Sequence, residues 1–326
     1  MSEALPHPRE TFDYLSDGAA EARFQEALAR GRLHHAWLLT GPEGIGKATF
    51  AYRAARRLLG AQAAPSFGLL GAGPEDPVSR QIIARAHPDL LVLQRDPETG
   101  KTRRDIPVDE ARALPEFFAK SPAAAPYRVA IVDTADDLNN AGANALLKTL
   151  EEPSERGVLF LISHAPGALL PTLRSRCRPL RFAPPAHDAA SAWVAEKSGL
   201  PLADADRLVG MTQGAPGQAW RLAGQGALAM DETAAALLGG LPKVDDAKLL
   251  ALAESFRGAA GAERFNLLFE RLAERVHARA LEGGATGARL AEVWSDLVDL
   301  PRRAEAINLD RGDILYSVIG QLKAAV

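Results

Sequence analysis

Residues 41–50, "GPEGIGKATF", carry three glycines and a lysine at the spacing that grips phosphate. In such a loop successive backbone N–H groups and the following helix N-terminus enclose the phosphate oxygens, and the lysine spans the outer ones. Gly41, Gly44 and Gly46 supply the backbone freedom and Lys47 the charge. Magnesium chemistry needs a hydroxyl directly after the lysine, and that residue is Ala48. Thr49 follows about 100° further round the helix, turned from the magnesium place; it is kept in the binding set. The acid that would support a metal is Asp133, at the end of "YRVAIVD" (127–133). The next residue, where a glutamate could activate water, is Thr134, whose hydroxyl cannot act as a base near neutral pH. Loss of a general base costs roughly 10²–10⁴ in rate. Both the metal-handling and the water-handling parts are damaged, so these residues point to holding a nucleotide, not to turnover. Asp136 and Asp137 lie beyond the strand end and read as helix-start acids facing water.

A second cationic group lies in "LRSRCRPLR" (173–181). Arg174, Arg176, Arg178 and Arg181 fit either a solvated basic edge or guanidinium groups aimed at phosphate, and spacing alone leaves both open. Arg53, Arg56 and Arg57 share a helix face (i, i+3, i+4), which by itself reads as a solvent face. Lys101, Arg103 and Arg104 fall in a charged turn. His34 and His35 have no cysteine or acid beside them, so no metal role is expected. The single cysteine, Cys177, excludes an internal disulfide and a cysteine-built zinc site. It also lacks a neighbouring histidine that could make it a nucleophile. Trp193, Trp220 and Trp294 have apolar neighbours and read as packing residues.

These groups need a scaffold, and the periodicity supplies one. "AWLLT" (36–40) runs into the glycine loop as a buried strand, and "KATFAYRAARRLL" leaves it as a helix. Further strands are read at 89–94, 127–133 and 157–163, and helices at 19–30, 108–120 and 140–153. Residues 60–80, rich in Gly, Ala and Pro, read as a loop or insertion. Strands alternating with helices predict an α/β fold with a parallel sheet covered on both faces. No convincing strand is read beyond residue 182. Short helical segments occupy 188–222 and a helical bundle 229–326, with Phe265, Leu268, Leu272 and Val276 along one stripe. The expected domains are 1–183 (α/β), 184–228 (small helical) and 229–326 (larger helical).

The chain has 326 residues, 47% hydrophobic and 24% charged, with a net charge of −3. This is ordinary for a soluble protein and disfavours one that grips nucleic acid alone, which usually carries a basic excess. The N-terminus lacks the basic-then-apolar order of a signal peptide and no apolar run could cross a membrane, so a cytoplasmic protein is expected.

At "RLHHAWLLTGPEGIGKAT", "ANALLKTLEEP" and "LLPTLRSRCRPLRFAPP" the sequence resembles the bacterial clamp-loader branch of the AAA+ ATPases, and looks most like its delta-prime members. The resemblance runs from about residue 19 to 222, and the C-terminal helices are similar to that family's oligomerisation collar. It implies a P-loop AAA+ domain, a small helical lid and a collar. It also implies that Arg176, the middle residue of Ser-Arg-Cys, acts catalytically in trans as an arginine finger on ATP held by a neighbouring subunit, with Cys177 packing behind it. The resemblance further gives Ser163 as the sensor-1 hydroxyl and Gly217 where active members keep a sensor-2 arginine. The implied nucleotide set is thus Gly41, Gly44, Gly46, Lys47, Thr49, Asp133 and Ser163, for weakly held, unhydrolysed ATP or ADP. Many delta-prime proteins have a degraded phosphate loop and four zinc-binding cysteines; here the loop survives and residues 60–88 hold no cysteine, so no zinc is expected. The implied partners are gamma/tau motor subunits, a delta subunit, the sliding clamp and primed DNA reached through the assembled complex, and DNA phosphates are what the Arg53 face would meet. The alternatives weighed are an active motor ATPase of the gamma/tau type, opposed by Ala48, Thr134 and Gly217, a small-molecule P-loop kinase and an autonomous DNA-binding protein.

Overall fold

Short runs of β-branched and leucine residues pair side by side to make one parallel sheet. A computed structural model describes residues 6–95, 105–307 and 309–326; the turn holding Lys101, Arg103 and Arg104 lies outside them. The strands are β1 (Ala36–Thr40), β2 (Leu90–Gln94), β3 (Arg128–Asp133), β4 (Gly157–Ser163) and β5 (Arg178–Arg181), in the order β2-β3-β4-β1-β5. Every pairing is parallel. Parallel neighbours need crossover connections, and these are helical. They are α2 (Lys47–Leu58), α3 (Pro77–Ile83), α4 (Val108–Ala119), α5 (Asn140–Glu151) and the single turn α6 (Pro171–Arg174), while α1 (Ala19–Ala29) precedes β1.

The central strands are buried on both faces, as a covered parallel sheet requires. All seven residues of β4 are buried. Trp37, Leu39, Ile131 and Phe160 face one core with Phe24 of α1 and Phe50 of α2. Leu38, Val132, Leu159 and Leu161 face the other, with Leu146 of α5, Leu173 and Cys177. Register sets Thr40 against Ser163 and Gln94 against Asp133, so the chemistry-bearing residues gather at the C-terminal ends of the strands.

Two elements depart from the sequence reading. β5 is a fifth strand inside the stretch read only for its arginines. It has four residues, two of them arginine, and Pro179 can sit there because β5 is an edge strand. α3 forms in the stretch read as a loop, started by Asp76, whose side chain accepts from the Val78 amide at 2.9 Å, with Pro77 at its first position.

The chain divides into two compact units, residues 1–221 and 222–326. The first takes in α7 (His187–Ser198) and α8 (Leu202–Met211) with the sheet, and α9 (Pro216–Gly224) begins in it. The second is helical: α10 (Ala227–Gly239), α11 (Asp246–Glu254), α12 (Gly258–Ala280), α13 (Gly284–Ala306) and α14 (Arg311–Ala325). The expected stripe Phe265, Leu268, Leu272 and Val276 of α12 lies in its core, which also holds Leu315, Val318 and Leu322 of α14. Among the described residues no helix is long and apolar enough to cross a membrane.

Candidate functional site

The phosphate loop leaves β1 at Thr40 and enters α2 at Lys47. Gly44 (φ +71°) and Gly46 (φ +95°) hold left-handed backbone, a region that costs a side-chain-bearing residue roughly 1–2 kcal/mol. A Cβ at Gly46 would also stand 2.8 Å from the Tyr14 ring. Lys47 is 3% exposed. Its Nζ donates to the carbonyls of Gly41 and Pro42, both at 2.6 Å, and lies 2.8 Å from Nδ1 of His164. Burial, with Lys47 beside it, lowers the His164 pKa, which favours the neutral ring that can accept this bond. Burial likewise pushes Lys47 down to about 8, although Asp133, Asp136 and Glu43 oppose the shift. The ammonium that would meet a phosphate is thus occupied by its own loop.

The start of α9 closes on that loop. The Gly217 amide donates to the Gly44 carbonyl at 3.0 Å. A Cβ on Gly44 would lie 2.3 Å from the Gln218 nitrogen, and one on Gly217 would lie 2.7 Å from the Gly44 oxygen. Glu43 and Arg221 make an ion pair across the same contact at 3.2 Å. The missing side chain at Gly217 therefore lets α9 seat its backbone on the loop, where an arginine would not fit.

Beside the closed loop is a cavity of about 780 Å³, lined by Gly44, Gly46, Lys47, Ala48, Thr49, Asp133, Thr134 and His164. Trp193 of α7 and Trp220 of α9 also line it, edge to face at 5.5 Å. Its volume is that of a small-molecule site. Gly44, Gly46 and Lys47 are the residues that would hold a phosphate group, Lys47 giving up its carbonyl partners to do so. A magnesium ion is served poorly. Ala48 brings no hydroxyl to the wall, and burial raises the Asp133 carboxyl to about 6 despite Lys47 holding it down.

Gly41 and Ser163 do not line the cavity. Ser163 is fully buried and its hydroxyl donates to Asp136 Oδ1 at 2.8 Å, while the His164 amide donates to Asp136 Oδ2 at 2.6 Å. The reading of Asp136 and Asp137 as water-facing acids is corrected here. Asp136 ties the end of β4 to the turn after β3, and Asp137 pairs with Arg95 at 2.8 Å. No periodicity marks such a bond, which spans 27 residues.

Arg176 lies away from this cavity. Its Nη2 is 2.8 Å from Glu151 Oε1 and its Nη1 donates to the Thr172 carbonyl at 2.9 Å. Next to it Cys177 is buried, its thiol raised to about 12 by burial alone. It is an uncharged anchor in the core. Arg174, Arg178 and Arg181 are exposed, Arg178 resting over Trp37 at 5.1 Å.

The α2 arginines are not a surface. Arg53 and Arg56 are 2% and 1% exposed. Arg53 donates to Glu21 at 3.0 Å and to the Phe12 carbonyl at 2.9 Å, and Arg56 donates to the Arg9 carbonyl and stacks over Phe12 at 4.4 Å. Neither a solvent face nor a DNA-facing one survives, because the N-terminal segment lies over both. Arg57 donates to the Ala61 carbonyl near the end of its own helix. His34 and His35 stack on each other at 4.3 Å, and among the described residues no group of three or more His, Cys, Asp or Glu could hold a metal. Trp294, in the second unit, stacks on His277 at 4.7 Å.

The family model described as "DNA polymerase III, delta subunit" matches residues 17–186, more than half of the chain. The chain is 37% identical over 207 residues to the DNA polymerase III subunit delta' of Pseudomonas aeruginosa, covering 63% of this chain and 61% of that protein. It is 33% identical over 199 residues to the subunit delta' of Escherichia coli (59% and 55%), and 37% identical over 182 residues to the subunit gamma/tau of Mycobacterium tuberculosis (55% and 30%). The matched stretch spans less than two thirds of each of these relatives. A solved DNA polymerase III gamma subunit-related protein of Thermotoga maritima overlays with a TM-score of 0.49 at 17% identity, over 93% of this chain and 99% of that one. With a family match over more than half its length and delta' subunits among its relatives, this chain belongs to the DNA polymerase III delta-subunit family, on its delta' side.

Proposed function

We propose that the chain is a clamp-loader subunit of DNA polymerase III that does not turn over nucleotide itself and acts on ATP held by a neighbour. Arg176 is the acting group, presented in trans to the outer phosphate on an adjacent gamma/tau-type motor subunit. A planar guanidinium offers paired donors to charge developing on a transferring phosphoryl group, and such fingers are worth roughly 10³–10⁵ in rate. The collar joins the chain to its motor and delta-type partners in the cytoplasm, and the assembly opens a sliding clamp for primed DNA. Within the chain, Gly41, Gly44, Gly46, Lys47, Thr49, Asp133 and Ser163 form the remnant of a nucleotide site, which holds ATP or ADP weakly and unhydrolysed.

The observation that carries this reading is the state of the chain's own loop. Lys47 bonds to two loop carbonyls and His164, and α9 is seated on Gly44. Ala48 and Thr134 take the places of the magnesium hydroxyl and the water-activating acid. A nucleotide entering there would have to undo those contacts and would find no hydrolytic machinery. When bound, it would supply only a charged ligand to the cleft. Lys47 and the glycines would hold its phosphates, and the paired tryptophans offer apolar surface beside them.

The test is reconstitution with motor and clamp-opening partners, measuring DNA-stimulated ATP hydrolysis. Arg176→Ala is expected to lower hydrolysis at the neighbour's site by roughly a thousandfold or more, and Lys47→Ala to change the total little. An unchanged rate with Arg176→Ala refutes the finger. Magnesium-dependent hydrolysis by the isolated chain that disappears in Lys47→Ala favours instead a motor subunit of the gamma/tau kind.

A further inference from the structure

Resting on that reading of Arg176, we infer that Glu151 is its positioning residue, the carboxylate that fixes the guanidinium plane before a neighbour's phosphate arrives. Glu151 closes α5, whose Leu146 and Leu150 are anchored in the core, and its Oε1 lies 2.8 Å from Arg176 Nη2. On the other terminal nitrogen, Nη1 donates to the Thr172 carbonyl of α6 at 2.9 Å. The backbone beneath is equally held. The Arg176 amide donates to the Leu173 carbonyl at 3.3 Å, with Leu173 fully buried and Cys177 nearly so. Two rigid elements therefore grip both terminal nitrogens of one guanidinium.

A long side chain at the surface otherwise samples many rotamers, and ordering it at the moment of reaction costs free energy that a preset geometry avoids. The Thr172 bond takes one of the five N–H groups of an arginine, and the carboxylate stands as an ion-pair partner beside Nη2. Nε–H and one hydrogen on each terminal nitrogen remain for phosphate oxygens. The grip thus orients the group without spending it. The Arg176 and Glu151 side chains are 36% and 50% exposed, so an incoming anion can reach the free donors, and the pair adds little to folding stability. Glu151 touches no reacting atom and acts only through Arg176.

The experiment is a double-mutant cycle in the reconstituted complex, with Glu151→Ala, Arg176→Ala and the pair of changes together. DNA-stimulated hydrolysis is followed against ATP concentration. Glu151→Ala is expected to lower kcat about three- to tenfold, the scale of coupling between touching side chains, with KM for ATP within about twofold. In the Arg176→Ala background it should have no further effect. Glu151→Gln keeps one acceptor oxygen without the charge and should fall between Glu151→Ala and wild type; it also answers the question if the alanine form assembles poorly. Loss of equal size in both backgrounds, no loss at all, or a faster complex (a carboxylate that withholds the arginine) each overturns the positioning role while leaving the finger intact. If Arg176→Ala alone changes nothing, the finger itself fails and the role of Glu151 goes with it.

Discussion

Two cations proposed to meet phosphate, Lys47 and Arg176, sit in opposite circumstances. Lys47 is 3% exposed and bonded to carbonyls of its own loop, under the seated start of α9. The Arg176 side chain is 36% exposed, held by a half-exposed carboxylate and one carbonyl, with donors to spare. An anion approaching the loop must first displace internal partners in a poorly solvated site. One approaching Arg176 meets a group already oriented and still in contact with water. Availability, more than charge, separates the two, and the comparison can be attacked at several points.

The hardest blow should come from the arginines that resemble neither. Arg53 looks like part of a basic face in sequence, yet it is buried against Glu21 and two backbone carbonyls. Arg53→Ala leaves the Glu21 carboxylate, itself 7% exposed, without its cation. Breaking a buried pair from one side costs roughly 3–5 kcal/mol, so chemical denaturation of the isolated chain should show a loss of that size. A loss below about 1 kcal/mol would mean that the arginine is solvated after all.

Gly44→Ala attacks the closure of the loop. The added Cβ falls 2.3 Å from the Gln218 nitrogen on a backbone of positive φ. Overpacking and left-handed strain together predict about 2–4 kcal/mol of destabilisation of the first unit. Were α9 to swing clear at no cost, stability would fall only by the backbone term and the cleft would open. Hydrogen exchange at the Gly217 amide separates the two outcomes.

A smaller effect lies in the titration of Asp133. Burial raises its carboxyl from 3.8 to about 6 while Lys47 holds it down. Between those values the folded chain binds more protons than the unfolded one, so this group's contribution to stability falls as pH rises through the window, and its cost is fully present at pH 7. Lys47 behaves conversely. Its value is lowered from 10.5 to about 8, so its cost is present below pH 8 and is relieved as pH rises towards 10.5. Lys47→Met should move the Asp133 midpoint upward by roughly one unit, read from its carboxyl carbon chemical shift. A downward or absent shift would show that the lysine's field does not reach this carboxylate.

What the sequence disclosed divides along similar lines. The four strands read from apolar runs lie where the structure has them within a residue, since buried parallel strands have nowhere to put polar residues. β5 was hidden because an edge strand of four residues can carry two arginines and a proline. The loop's glycines and lysine were legible as a motif, but its closure was not. That depends on Gly217 meeting Gly44 across 173 residues of chain and on the absence of one side chain. Arg53 and Arg56 misled for a related reason. Their i, i+3 spacing gives a face, and only the packing of the N-terminal segment over it decides whether that face sees water. Glu151 stood in a quoted motif, and nothing in the sequence marks its contact with Arg176, 25 residues further along the chain.

The smallest expected effect cuts most sharply into the comparison. Arg176→Ala removes an ion pair whose two side chains are 36% and 50% exposed, and pairs of that kind contribute about 0–1 kcal/mol. The stability of the isolated chain should therefore stay within about 1 kcal/mol of the parent, measured by the same denaturation that reveals the loss at Arg53. A residue that folding does not need, yet which two elements hold in one orientation, has its use outside the folded chain. If Arg176→Ala proves as damaging as Arg53→Ala, then the pair with Glu151 serves the fold, and the contrast between an occupied cation and an available one disappears.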